Sequence, residues 1–131
     1  MSLRHFTRII QGAAMASPGL VRKPYRGEFG SLAGHCYAAS EAMAWVYPHL
    51  KPSYLNHEMW PQGLAPGETH WFLTCPDSHE GGWHAGQVVD VTADQFNLPV
   101  PYRKGKRCGF LTKEPSKRAM EILVKAGIRD K

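Results

Sequence analysis

Apolar positions recur at helical spacing in three stretches of the chain. Phe6, Ile9, Ile10 and Ala13 or Ala14 line one side of a helix from Leu3 to Met15, which Ser17-Pro18-Gly19 ends. From about Ser31 to Tyr47 the chain is rich in alanine, the best helix former. Tyr37, Ala44 and Trp45 form one stripe there, and Cys36, Ser40, Met43 and Tyr47 an adjoining one. A helix this apolar around its girth is expected to be buried on several sides. Its start is set either by Ser31 as N-cap or, later, by Gly34, which puts Cys36 in the first turn; the later start is preferred. Pro48 and Pro52 stop it. The third stretch, about Pro115 to Ala126, sets Ala119, Ile122, Leu123 and Ala126 on one side. Pro115 suits its first turn and Gly127 the position just past its end.

Between the helices the period shortens to two. Residues 53–60 alternate loosely and predict a strand. Thr69 to Cys75 is dense in aromatic and β-branched residues, and Gln87 to Thr92 reads as the next strand. Pro61 to Gly67 and Pro76 to Gly86 are loops, Val21 to Phe29 an extended lead-in, and residues 93–112 irregular. The expected architecture is α+β: a central helix packed on a small antiparallel sheet, with the C-terminal basic helix on the outside.

Length and composition narrow the class. A chain of 131 residues, 43% hydrophobic and 21% charged, is expected to form a single domain, 1–131, with one packed core. No apolar run approaches the roughly 20 residues of a membrane span, and Met1 to Phe6 lacks the start of a secretory signal. The expectation is a cytoplasmic protein with free thiols and no membrane contact. Three cysteines, Cys36, Cys75 and Cys108, form no Cys-x-x-Cys pair, so no disulfide framework, structural zinc or other cofactor is expected. Ten of the 16 Lys/Arg but only three of the 11 Asp/Glu lie in residues 101–131. That basic segment reads either as a patch for nucleic acid or an acidic protein, or as a solvated helix face and loop. No feature points to a particular oligomeric state.

One stretch carries candidate chemistry, Gly34-His35-Cys36-Tyr37-Ala38-Ala39-Ser40. A helix start gives a thiol reason to be reactive, because unpaired N–H groups point outward there and the helix dipole favours negative charge. The hairpin 69–92 supplies partners. With its loop centred near Glu80–Gly81, His70 falls opposite Asp90 on one sheet face, at a Cβ separation of about 4.5–5.5 Å. A one-residue slip would send one of them to the other face. A helix packed on that face would bring Cys36 to His70. His70 would then act as base and acid, and Asp90 would fix its tautomer. The Cys36 backbone N–H is a candidate oxyanion donor, and His35, Trp71, Gln95 and Asn56 are candidate substrate or oxyanion groups. Thr92 stands near Asp90, and Trp83-His84 either borders a cleft or is a packed loop tip. Cys75 should point away from His70. Cys108, among Lys104, Lys106 and Arg107, is the rival reactive thiol. The alternative for Cys36 is a buried core thiol, and for Asp90 a strand-end carboxylate bonding a turn.

The order of Cys36 opening a helix, His70-Trp71 in a strand and Asp90-Val91-Thr92 in the next resembles the transglutaminase-like core of the papain-like cysteine-enzyme superfamily, whose plan arylamine acetyltransferases share. Gly34-His35-Cys36 fits Gly-x-Cys and Asp90-x-Thr92 fits Asp-x-Thr, whereas Trp71 directly follows His70 and departs from His-x-Trp. The resemblance covers residues 31–92, and the chain also resembles small proteins carried by bacteriophages. It implies amide or thioester chemistry through an acyl-enzyme, on a protein or peptide amide: hydrolysis, deamidation or transfer to an amine. The competing expectation is a basic binding module, or a relative that keeps the fold without the activity.

Overall fold

The amphipathic N-terminal stretch forms helix α1, Leu3–Met15, with the predicted bounds. The alanine-rich stretch forms α2, Cys36–Val46, and the C-terminal stripe forms α3, Lys117–Lys125. The computed structural model describes residues 3–16, 36–78, 80–93, 96, 98–109 and 116–128; Ser31, Gly34 and Pro115 lie outside them. Helix α3 begins after Ser116 rather than at Pro115. The Ser116 hydroxyl accepts from the Ala119 N–H, which is ordinary N-cap chemistry. At the other end Gly127 takes φ 74. The Ile128 N–H bonds the Leu123 carbonyl and the Gly127 N–H the Val124 carbonyl, both at 3.0 Å, a Schellman closure that requires the left-handed conformation glycine supplies.

Four strands are seen among the described residues, β1 Lys51–Asn56, β2 Thr69–Thr74, β3 Val88–Val89 and β4 Lys106–Arg107, antiparallel in the order β3-β2-β1-β4. The fold is α+β, as expected, but several bounds differ from the pattern. Strand β1 starts at Lys51 and includes Pro52, then ends at Asn56, where 57–59 turn. Proline is tolerated because its carbonyl accepts from the Cys108 N–H; the missing donor therefore faces short β4, just past its last residue. The strand expected over Gln87 to Thr92 shrinks to two residues, because the chain turns at Asp90, whose carbonyl accepts from the Ala93 N–H at 3.4 Å. Strand β4, a Lys-Arg pair with no hydrophobic alternation, lies inside the segment read as irregular.

The two sheet faces have different covers. Leu73, Cys75, Val89 and Val91 pack under α1 (Ile10, Ala13, Ala14), α2 (Ala38, Ala39, Ala42, Met43) and α3 (Ile122, Leu123). Full burial of a Leu, Ile or Phe side chain contributes about 1.5–3 kcal/mol. Ile10, Leu73, Ile122 and Leu123 are all completely buried. Helix α3 is thus part of the core rather than an outer layer; only its Lys117, Glu121 and Lys125 side is exposed. On the other face Leu55, Phe72, Trp60 and Leu64 pack with Phe96, Val100 and Tyr102. Loops cover this face, and His70, whose ring lies 4.7 Å from Phe96, belongs to it.

The loop carrying Tyr102 is seated by a close approach. Gly105 has ordinary extended dihedrals, but a Cβ there would lie 2.5 Å from Phe72 Cζ and 3.1 Å from the Tyr102 carbonyl. Since Phe72 is completely buried, Gly105→Ala is expected to cost about 1–3 kcal/mol through overpacking. Urea melts should show this, and a variant as stable as the parent would contradict it. Trp83 is a packed loop residue, 5.1 Å from the Tyr47 ring and 4.5 Å from that of His49. No helix among the described residues is long and apolar enough to cross a membrane.

Candidate functional site

The site begins at an unpaired strand edge. Strand β3 pairs only with Leu73 and Thr74, so among the described residues β2 from Thr69 to Phe72 has no strand on that side. Helix α2 occupies the gap. The Cys36 thiol donates to the Thr69 carbonyl at 3.6 Å, and the Ser40 hydroxyl donates to the Trp71 carbonyl at 3.4 Å. Covering the edge satisfies groups that would otherwise be buried or sticky. It also puts Cys36, the first residue of α2 and 8% exposed, beside the start of β2.

Helix α2 does not pack on the face that carries His70, contrary to the sequence expectation. It lies on the Leu73 face. Cys36 still reaches the imidazole because it stands at the edge between the faces, where a premature end to β3 leaves room.

His70 is buried, and its Nε2 bonds Asp90 Oδ2 at 2.7 Å. The two residues are not directly opposed. The ladder pairs Leu73 with Val89 and Thr74 with Val88, two residues along from the expected register. A shift of two keeps every side chain on its face, so Asp90 remains a diagonal neighbour of His70. The carboxylate accepts, so Nε2 carries the proton and the neutral ring would present a lone pair at Nδ1. Nδ1 is buried and, like Asp90 Oδ1, has no hydrogen-bond partner among the described residues.

The imidazole is held protonated. Burial works against its charge, but the bond to Asp90, the adjacent Cys36 and the negative charge of Asp90 outweigh it and push the His70 pKa up to about 9. Cys36 thus acts on the ring while its thiol donates a hydrogen bond to the Thr69 carbonyl. Closing a direct bond to Nδ1 requires the thiol to turn from that carbonyl to the ring.

A residue that sequence reasoning missed completes the arrangement. Tyr102 donates its hydroxyl to the same Asp90 Oδ2, also at 2.7 Å. Burial first, then the Asp90 charge and their bond, push the phenol far above its ordinary range, so it remains a donor. Gln11 of α1, also unforeseen, donates its amide to the Val91 carbonyl at 2.8 Å and fixes the chain just after Asp90.

The other candidates separate. Trp71 lies on the opposite face from His70, edge-on to Tyr37 at 4.9 Å and tilted on Tyr54 at 5.5 Å. The Asn56 side-chain oxygen accepts from the Met59 N–H and serves the turn after β1. His35 and Gln95 lie outside the described residues. Thr92 is buried next to the turn after Asp90. Cys75 is fully buried on the helix side and donates to the Asp77 carbonyl, so it faces away from His70 as its register implied. Cys108 is a free, exposed thiol past the end of β4. Arg103, Lys104, Lys106 and Arg107 are exposed beside it, a charged edge that resists strand addition. No cluster of three His, Cys, Asp or Glu among the described residues could hold a metal ion.

A thiol, an imidazole with one nitrogen anchored and the other without a partner among the described residues, and a carboxylate in sequence behind it have the composition of a nucleophile, an acid–base and an orienting group. No protein-family model matches the chain, and no curated protein or solved structure matches it.

Proposed function

We propose that the chain performs cysteine-dependent acyl chemistry on an amide or thioester, with Cys36 as nucleophile, His70 as acid and base, and Asp90 as its orienting partner. The observation that carries this reading is the buried His70 ring, bonded to Asp90 at Nε2 and with no partner among the described residues at Nδ1, with Cys36 beside it. A histidine needed only for packing has no use for a buried carboxylate that keeps it charged. As imidazolium, His70 would stabilise the Cys36 thiolate. Attack on a carbonyl carbon forms a C–S bond. The His70 proton then passes to the departing amine or thiol as its bond to carbon breaks. Water or an amine, giving its proton back to His70, would release the acyl group. The Cys36 backbone N–H is the proposed oxyanion donor.

A helix that Cys36 opens, a strand that bears His70 and an Asp90 just past the end of the next strand, in that order, support a transglutaminase-like core, and a protein or peptide amide as the substrate class. The test is competitive alkylation. Iodoacetamide at neutral pH should modify Cys36 before Cys108 and leave Cys75 unmodified, and Cys36→Ala should remove the fast phase. Mass spectrometry showing Cys108 alkylated at the fast rate with Cys36 untouched would defeat the assignment.

A further inference from the structure

We propose that Tyr102 is a positioning residue of this site, acting on His70 through Asp90 by taking a share of the carboxylate's charge and holding Oδ2 in one place. The proposal rests on the acyl-chemistry reading of Cys36, His70 and Asp90, and adds to it a residue from the basic segment.

The geometry is specific. One carboxylate oxygen, Oδ2, accepts from both the His70 ring and the Tyr102 hydroxyl at 2.7 Å, while Oδ1 accepts from no described residue. Tyr102 is held independently of Asp90. Its ring packs edge-on against Phe72 at 4.9 Å, and it opens the short 3-10 turn 102–104 that Gly105 lets settle onto Phe72. The Asp90 side chain is only 4% exposed. Water therefore cannot take over the role of a lost donor.

The sign of the effect follows. A donor on a carboxylate oxygen spreads its charge and weakens it as a partner for a second donor. Without the hydroxyl, Asp90 has one donor left among the described groups, the His70 N–H, and being buried it must keep that bond. The ring then feels the whole charge and holds its proton more tightly. The described groups around the ring are Asp90 after β3, Cys36 from α2, and the uncharged Phe72 and Phe96. Of the two titratable neighbours Tyr102 bonds only Asp90. A firmer grip on the proton would slow its delivery to a leaving group, whereas alkylation by iodoacetamide needs no such delivery.

The experiment is a pH titration of His70 by NMR in protein carrying labelled histidine, with iodoacetamide labelling in parallel. In Tyr102→Phe, which keeps the ring on Phe72, the His70 midpoint should rise by about half a pKa unit, a threefold gain in proton affinity, with Cys36 alkylated at the parent rate at neutral pH. A ring-fluorinated tyrosine at the same position, a stronger donor, should move the midpoint the other way. A midpoint unchanged or lowered in Tyr102→Phe overturns the proposal; a purely structural tyrosine would lower the melting temperature and leave the midpoint alone. The underlying reading fails separately, if the parent protein titrates His70 near 6.5 and leaves Cys36 unlabelled.

Discussion

Asp90→Ala is expected to destabilise the fold by about 3–5 kcal/mol at pH 6, the range for removing one member of a buried charged pair. It takes the only acceptor among the described residues from the His70 N–H and from the Tyr102 hydroxyl, both at 2.7 Å in the parent. It also reverses the balance that sets the His70 charge. Asp90 is the larger of the two influences that raise the imidazole; once it is gone, burial dominates, and the His70 midpoint should drop from about 9 to below 6.5. The pH dependence of stability gives the sharper signature. A group whose pKa is higher in the folded state contributes its full stabilisation below the unfolded value and loses it as pH rises through the folded one. In the parent, the His70 contribution is complete below about 6.5 and disappears as pH passes 9, a loss of a few kcal/mol. In Asp90→Ala the slope should invert, because a buried neutral imidazole resists protonation and weakens the fold as pH falls. Urea melts of both proteins at pH 6 and pH 10 measure this. Curves that differ by under 1 kcal/mol at pH 6 would mean that the pair is not coupled to folding.

Most of the helical framework could be read from the chain because each helix writes its buried side as a period. Ile10 with Ala13 and Ala14 is one such stripe, and Ala119 with Ile122 and Leu123 another; both are buried. The pairing of His70 with Asp90 was legible for a more restricted reason. The strand period is two, so the sequence constrains which face a residue occupies better than which residue stands opposite. The register proved two residues off and the contact survived. The side on which α2 packs was not legible. Both faces of β2 are apolar, with Phe72 on one and Leu73 on the other, each completely buried, and alternation cannot say which one a helix covers. Strand ends were poorly marked as well. Gln87 to Thr92 is uniformly strand-like around its aspartate, yet Asp90 turns the chain, and that early end is what admits Cys36 to the edge. Tyr102 and Gln11 left no trace, because each reaches the site by a side-chain bond across 12 and 80 residues of chain, and such a bond has no period.

Glu41→Ala should cost about 2–4 kcal/mol, by combining a lost cap, an orphaned donor and a small void. Glu41 stands on α2 and is 4% exposed, an uncommon place for an acid unless its oxygens are satisfied. They are satisfied by one residue. The Ser116 N–H donates to Oε2 at 3.0 Å and the Ser116 hydroxyl to Oε1 at 2.6 Å. The same hydroxyl accepts from the Ala119 N–H at 3.3 Å, inside the first turn of α3. The carboxyl thus finishes the capping of a neighbouring helix and lies where that helix's dipole favours negative charge. Alanine would leave the half-buried Ser116 N–H without its Glu41 acceptor, and free the hydroxyl to abandon its capping geometry. Glu41→Gln keeps the shape but turns one acceptor into a donor, so about half of the loss is expected. The two variants separate this account from its rival. If the buried charge were a burden rather than a link, apolar Glu41→Met would be at least as stable as the parent, whereas the capping account has it fall with alanine. Because Glu41 acts on α3 while Cys36 is held by the β2 edge, the alkylation rate of Cys36 at a temperature where the variant is folded should match that of the parent. A rate that rose as stability fell would show instead that α3, α2 and the thiol open together.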